Sequence, residues 1–377
     1  MLDRRQMQFF TTETIPTFSR SAVLTADRPN TGATTQRVTQ GQNRPFSQVL
    51  SDQRQWVVDH APFDTVVKLP LMQFMTIAAD QSTPAAAALV PFKDAQIQSN
   101  HPNQYEMTEY AMKQLLSRLK YDRDLFNKFA KVGMDRLNVI NINTLIQHYY
   151  KELVMLRCID QNKIRGFLTD SYEPFDNLEL LQAVEPYMSG AETHWDYSDD
   201  EVTHLSVTWP NTQTEIKVGD IVKTGIHISN SEVGLRSVTI APYIYRLKCK
   251  NGATGREDGG MFRFRHTGDG DNLRKKVRAA IESTYMETTT IIAQFKESLN
   301  KTISDPASYM ESIAKDKSNN LTQEQYKHML DSFLTEPENN LYGVVNAITR
   351  TAHEYYTGET RYDLEKLGIK VLGQGLK

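Results

Sequence analysis

Residues 225–278, GIHISNSEVGLRSVTIAPYIYRLKCKNGATGREDGGMFRFRHTGDGDNLRKKVR, decide the fold. The stretch reads as a strand, a tight corner at SNSEVG, and a long strand over 237–250 (SVTIAPYIYRLKCK). A glycine-rich reversal at 251–260, a short strand at 261–268 and the start of a basic helix follow. Successive strand residues point to opposite faces. One face of 237–250 therefore carries Thr239, Ala241, Tyr243, Tyr245, Leu247 and Cys249. The other carries Val238, Ile240, Pro242, Ile244, Arg246, Lys248 and Lys250. The first half is apolar on both faces, which predicts burial on both. Pro242 has no N–H to donate and argues for an edge or a bulge there. The glycines at 252, 255, 259 and 260 supply positive-φ positions for the reversal. In 261–266, Phe262, Phe264 and His266 alternate with Met261, Arg263 and Arg265. If this strand pairs with 237–250 across the reversal, Arg246, Lys248 and Lys250 lie near Arg263 and Arg265.

Strand patterns extend upstream, at 155–177, at THLSVTW (203–209) and at EIKVGDIVKTGIHIS (215–229). Residues 106–156 read as helical, with Met107, Tyr110, Ala111, Leu115, Leu119, Leu125, Phe126 and Phe129 at helical spacing and a further helix over Asn141–Leu156. Gln55–Asp94 is apolar and strand-like, and residues 1–55 form a polar arm with little periodicity. Downstream, Leu273, Val277, Ile281, Tyr285, Thr288, Ile292, Phe295 and Leu299 make one long helical stripe. Thr322–Leu334, 341–357 and 360–372 add three more helices. The expectation is an α+β protein: a twisted, mainly antiparallel sheet with a long β-hairpin, covered by helices. Its parts are the extended polar arm (1–55), an α+β core with the basic hairpin (56–300), and a C-terminal helical part packing on that core (301–377).

Composition agrees with a globular chain, at 39% hydrophobic and 24% charged over 377 residues, with a net charge of −3. Two cysteines, Cys158 and Cys249, fit free thiols in a reducing compartment. The apolar run Ala85–Pro91 is too short to span a bilayer, so a cytoplasmic protein without membrane contact is expected. Catalytic signatures such as GxxxxGK[ST], HExxH and GxSxG are missing from the sequence. The GDGDN run (268–272) lacks the later ligands of a calcium loop, and the acidic cluster Asp196, Asp199, Asp200 and Glu201 reads as a surface loop. No catalytic residue, metal or cofactor is expected.

Charge placement is the exception. Residues 236–278 hold eleven Lys or Arg and four Asp or Glu, a net +7 inside a chain of net −3. Positive surfaces with aromatic platforms bind single-stranded nucleic acid by neutralising phosphates and stacking bases. The expected contacts are Arg246, Lys248, Lys250, Arg263, Arg265, Arg274, Lys275, Lys276 and Arg278, with Tyr245 and Phe264, or Tyr243 and Phe262, as stacking surfaces. The competing reading is a sheet edge blunted by charge against aggregation.

Three passages together, KIRGFLTDSYEPFDN (163–177), HISNSEVGLRSVTIAPYIYRLKCKNG (227–252) and LYGVVNAITRTAHEYYT (341–357), resemble the phage- and plasmid-borne family catalogued as domain of unknown function 932. The resemblance covers roughly 105–372. It implies a component of mobile elements, and by association with recombination nucleases a single-strand annealing protein that forms homo-oligomers in the host cytoplasm. The expected function is non-enzymatic single-stranded DNA binding, as in a recombination annealase. The alternative is a structural or counter-defence protein that binds a host or phage protein.

Overall fold

The computed structural model describes residues 39–41, 43–77, 86–91, 104–148, 153–255, 261–268 and 270–377. Strands β1 (Thr39–Gly41) and β2 (Arg44–Pro45) precede helix α1 (Phe46–His60). Then come β3 (Phe63–Lys68), β4 (Met72–Ile77), β5 (Ala86–Pro91) and β6 (Tyr105–Met107). Helices α2 (Glu109–Arg118), α3 (Arg123–Lys131) and α4 (Asp135–His148) lead to β7 (Leu153–Ile159), β8 (Lys163–Thr169) and α5 (Asn177–Val184). A run of strands follows: β9 (Glu192–Ser198), β10 (Thr203–Thr208), β11 (Thr214–Lys217), β12 (Asp220–Asn230), β13 (Val238–Arg246), β14 (Asn251–Thr254) and β15 (Phe262–Phe264). The chain finishes on α6 (Gly270–Ser298), α7 (Pro306–Lys315), α8 (Gln323–Thr335), α9 (Leu341–Tyr355) and α10 (Gly358–Leu376).

The fold is α+β, with two sheets. The larger is antiparallel in the order β1-β9-β10-β12-β13-β14, with β2 also on β9, β11 on β12 and β15 on β13. The smaller runs β3-β7-β8-β6-β5-β4, and β6–β8 is its parallel pair. Side-chain alternation gives the larger sheet two unlike faces. Leu205, Val207, Ile226, Ile228, Val238 and Ile240 face an apolar core with Leu50, Leu180, Val277 and Ile281 from the covering helices. The opposite face is polar yet buried: Trp195, His204, Ser206, His227, Ser229, Tyr243 and Tyr245. The first turns of α10 cover it, with Arg361 over the Trp195 ring and Tyr362 against His204 and His227. Later turns of α10 join a C-terminal core with α7, α8 and α9, in which Ile244 and Ala253 also sit. The smaller sheet has its own core, where Phe74, Leu89, Leu156 and Ile164 meet Leu115 of α2 and Ile142 of α4.

Several elements differ from their reading in sequence. Residues 1–38, 42 and 256–260, parts of the expected arm and reversal, lie outside the described residues. β1 and β2 pair with β9. The boundary placed at residue 55 falls inside α1, whose Phe46, Val49, Leu50, Gln53 and Trp56 share one buried helical face. Gln55–His60 is therefore helix, not strand. The helix expected over Asn141–Leu156 stops at His148, because Leu153–Ile159 is claimed on both sides by β3 and β8. The long strand also ends early: the chain turns at 247–250, with Lys250 at φ 53, and returns as β14 with Asn251 opposite Arg246 and Thr254 opposite Tyr243. β15 instead pairs with the start of β13, Val238 opposite Phe264 and Ile240 opposite Phe262. Pro242 sits between these two partial partners. Its carbonyl accepts from Gly255 N–H at 3.0 Å, so its missing N–H falls at the break between β14 and β15 and removes no ladder bond.

Candidate nucleic-acid interface

The SNSEVG corner joins the two sheets. Asn230 Nδ2 donates to Phe175 O and Asn177 Oδ1, and Ser231 Oγ donates to Glu201 O at 2.6 Å. Glu232 is buried, accepting from the Asn177 backbone N–H at 2.6 Å and pairing with Arg165 of β8. Arg157 of β7 donates to Asp64 at 2.9 Å, Asp176 at 2.6 Å and the Glu232 carbonyl at 2.6 Å. Burial alone would raise the Glu232 carboxyl, but Arg165 and Arg157 outweigh it and hold it down to about 2. Gly234, at φ 81, sits where a Cβ would lie 2.7 Å from Leu168 Cδ2. His266 stacks on Tyr172 and hydrogen-bonds Asn230 Oδ1 at 3.0 Å; burial pushes its imidazole down to about 4. Local sequence pattern does not bring Arg157, Arg165, Asp176 and His266 to a common place. The available signal was charge inside apolar strands, Arg157 in VMLRCI and Arg165 in KIRGFL.

The expected hairpin groove does not form. Arg246 is buried, held by Asp220 and Glu336, with its Nη1 also donating to Cys249 Sγ at 3.1 Å. Lys248 is exposed but pairs with Glu336 at 2.7 Å. Glu336 is held well below the ordinary carboxylate range, first by its hydrogen bond to Arg246. Lys250 is exposed at the turn beside α9. Arg246 lies seven residues along β13 from Thr239, the partner of Arg263, or about 23 Å at roughly 3.3 Å per residue. The two cation groups therefore occupy opposite ends of one strand.

The aromatic residues are equally committed. Tyr245 is buried and stacked on His194 at 3.7 Å. Tyr243 is fully buried, and its ring fills the space beside Gly252 of CKNG, where a Cβ would lie 2.2 Å from the Tyr243 oxygen. Phe262 and Phe264 are half-buried against the apolar core. Neither tyrosine offers a free face for a base.

Five of the expected cations remain exposed, on two elements and on different sides of the sheet: Arg263 opposes Thr239 on the side that α10 covers, whereas α6 packs on the apolar side. Arg263 and Arg265 are exposed on and just after β15, which borders the larger sheet. Lys275, Lys276 and Arg278 are exposed on the first turns of α6, whose Leu273, Val277, Ala280 and Ile281 face the core. Among the described residues these five form no ion pair, whereas Arg274 is held by Glu179 and Asp271. The α6 N-terminus adds its own partial positive charge. The acidic cluster is structural: Asp196 binds Arg44, and Asp199 accepts from the Glu201 and Val202 N–H groups at 2.8 Å.

Under α10 the polar face holds a second unforeseen group. His194 and His204 are pushed down to about 4 and about 3 by burial, and His227 falls well below the ordinary imidazole range for the same reason. Arg361 and Glu365 form a buried pair there, and burial raises Glu365 to about 7. These side chains pack ring on ring, Trp195 against His204 and His227 at 5.5 and 6.0 Å. They are a polar core layer. Its trace in sequence is the polar alternation of HLSVT and GIHIS. Among the described residues no group of His, Cys, Asp and Glu has the placement to hold a metal ion.

The family described as Domain of unknown function (DUF932) matches residues 166–364, more than half of the chain. The chain belongs to this family. No curated protein and no solved structure matches it. Within the DUF932 span lie the SNSEVG corner, the Tyr243–Gly252 contact, the five free cations and all of α9. The smaller sheet's β3–β7 and the helices α2–α4 lie before it. Among the described residues no helix is long and apolar enough to cross a membrane.

Proposed function

We propose that this DUF932 protein binds single-stranded nucleic acid without catalysing a reaction, through Arg263, Arg265, Lys275, Lys276 and Arg278. The observation that supports this reading is five exposed cations, free of ion pairs among the described residues, on β15 and the segment after it and on the first turns of α6. Protein carboxylates already neutralise Arg246, Lys248 and Arg274, so they add little phosphate affinity. With Tyr243 and Tyr245 buried, affinity rests on phosphate contacts and base sequence matters little. Contacts to the backbone leave base edges open for pairing, which is what an annealing protein of a mobile element in a host cytoplasm requires.

The test is fluorescence anisotropy with a labelled single-stranded oligonucleotide across a salt series. Five phosphate contacts predict a slope of log K against log salt of about −3.5, at roughly −0.7 per contact. The double variant Arg263→Ala/Arg265→Ala should flatten that slope by about 1.4. An unchanged slope would eliminate the site. Absence of binding at moderate salt would favour the alternative, a protein that acts on another protein.

A further inference from the structure

The smaller sheet ends in two edge strands, β3 and β4, and they are finished differently. An edge strand presents a row of N–H and C=O groups without ladder partners, which another strand can take up. On β4 that row is closed by a side chain. Asn143 of α4 accepts from the Phe74 N–H at 2.8 Å and donates to the Phe74 carbonyl at 2.9 Å, as a neighbouring strand would. β3 pairs with β7 on one side, and among the described residues no group bonds its backbone on the other. It is six residues long, whereas no described edge strand of the larger sheet exceeds four. Its sequence, FDTVVK, carries three β-branched residues in a row, which suits strand pairing.

The side chains say which strand fits. Phe63 and Val67 face the core of the smaller sheet, so Asp64, Val66 and Lys68 share its other face. Val66 is 50% exposed, and Lys68 is exposed with no ion pair among the described residues. Asp64 Oδ1 accepts from Arg157 Nε at 2.9 Å, and its Oδ2 has no hydrogen bond among the described residues. Two copies of β3 paired antiparallel about a two-fold axis through Val66 set Asp64 of each copy opposite Lys68 of the other. The same register sets Thr65 opposite Val67 and Val66 against itself. Residues directly opposite have Cβ atoms about 4.5–5.5 Å apart, so both charge pairs and the apolar centre form together. Asp64 then lies between Lys68 of the other copy and its own cross-strand neighbour Arg157. A lysine on an edge ordinarily opposes a second strand; in this register it meets a carboxylate.

We propose that β3 is an isologous interface at which two copies of this chain join their smaller sheets into one continuous sheet. The proposal stands apart from the nucleic-acid reading, because β3 contains none of the cations assigned to DNA and its test uses no DNA. Sedimentation velocity of the full chain, from low micromolar to the highest soluble concentration, should show a reversible dimer. Lys68→Glu opposes like charges twice per dimer and should weaken association about tenfold or more, whereas Lys68→Arg should keep it. Far-UV circular dichroism should be unchanged in both, since Lys68 is exposed. Val66→Cys reports the register. It places one thiol of each copy at the axis, with Cα atoms about 4.5–5.5 Å apart, inside the span of a disulfide. Diamide should link Val66→Cys into a dimer at concentrations where the unsubstituted chain and Val58→Cys, a control at a 49% exposed position on α1, stay unlinked. A monomer at every concentration would overturn the proposal. So would a dimer indifferent to Lys68→Glu, or Val66→Cys linking no faster than Val58→Cys.

Discussion

Replacing Glu232 by glutamine should cost roughly 3–5 kcal/mol of folding stability, the usual result of stranding one buried charge. The side chain is 5% exposed, and both of its oxygens are used: one takes the Asn177 N–H at 2.6 Å, the other faces Arg165. Glutamine keeps the shape but removes the charge, and it can place an amide NH2 against the Arg165 guanidinium. Arg165 is itself 5% exposed, and its Nε has no partner among the described residues, so it has no second anion in contact. A carboxyl held at about 2, against an ordinary value near 4.3, represents a preference of ~3 kcal/mol for the charged form, the same size. That contribution is present above the ordinary glutamate range and is lost as pH falls through about 2. Urea unfolding at pH 7, followed by circular dichroism and tryptophan fluorescence, measures the loss. The companion variant Arg165→Met, alone and combined with Glu232→Gln, completes a double-mutant cycle. The double variant should cost clearly less than the sum of the singles, since it leaves no lone charge. A loss under about 1 kcal/mol for Glu232→Gln, or strict additivity, would refute the account of the corner as a charge-paired joint.

Acid should destabilise the protein well above the carboxylate range. His194, His204, His227 and His266 are buried neutral, so the unfolded chain takes up protons that the folded one refuses, and stability falls as pH drops from about 6.5 toward about 4. Each site contributes up to about 1.4 kcal/mol per pH unit, and Glu365, raised to about 7, opposes them by costing stability as pH rises from about 4.5. A melting temperature equal at pH 7 and pH 5 would contradict this. Arg246→Met should lower the melting temperature strongly, by leaving Asp220 buried without its partner, while leaving the salt slope of DNA binding unchanged. A flattened slope would return Arg246 to the DNA surface. Gly225→Ala should abolish soluble expression, because the new Cβ would lie 1.8 Å from the Val207 carbonyl oxygen and backbone cannot yield as a side chain can; a soluble variant with a near-normal melting temperature would show that the strands tolerate separation there.

Much of the architecture was legible because it depends on near neighbours in sequence. The alternation of HLSVT and GIHIS marks β10 and β12. The cap at Thr322 with Gln325 marks α8, where each group accepts from the other's backbone N–H. The stripe Leu273, Val277, Ile281 marks α6, whose core face it forms. The helical period of Phe46–Trp56 is equally present, but Gln, Ser and Asp dilute it, so the local pattern suggests an arm and a strand. The site was harder to read. Arg246 and Arg263 look alike in sequence, each in a strand of alternating pattern.

What sequence alone determined here is the α+β class, the long basic α6, the corner at SNSEVG and the excess positive charge of 236–278. Those follow from side-chain periodicity, turn chemistry and counting. Tertiary structure decided which cations remain available. Asp220 lies 26 residues before Arg246 and Glu336 lies 90 after it. Neither contact is implied by local pattern. Strand pairing decided the rest, because the partner of a strand is chosen by the packing of whole faces. By giving one end of β13 to β14 and the other to β15, it placed Arg246 and Arg263 at opposite ends of the same strand.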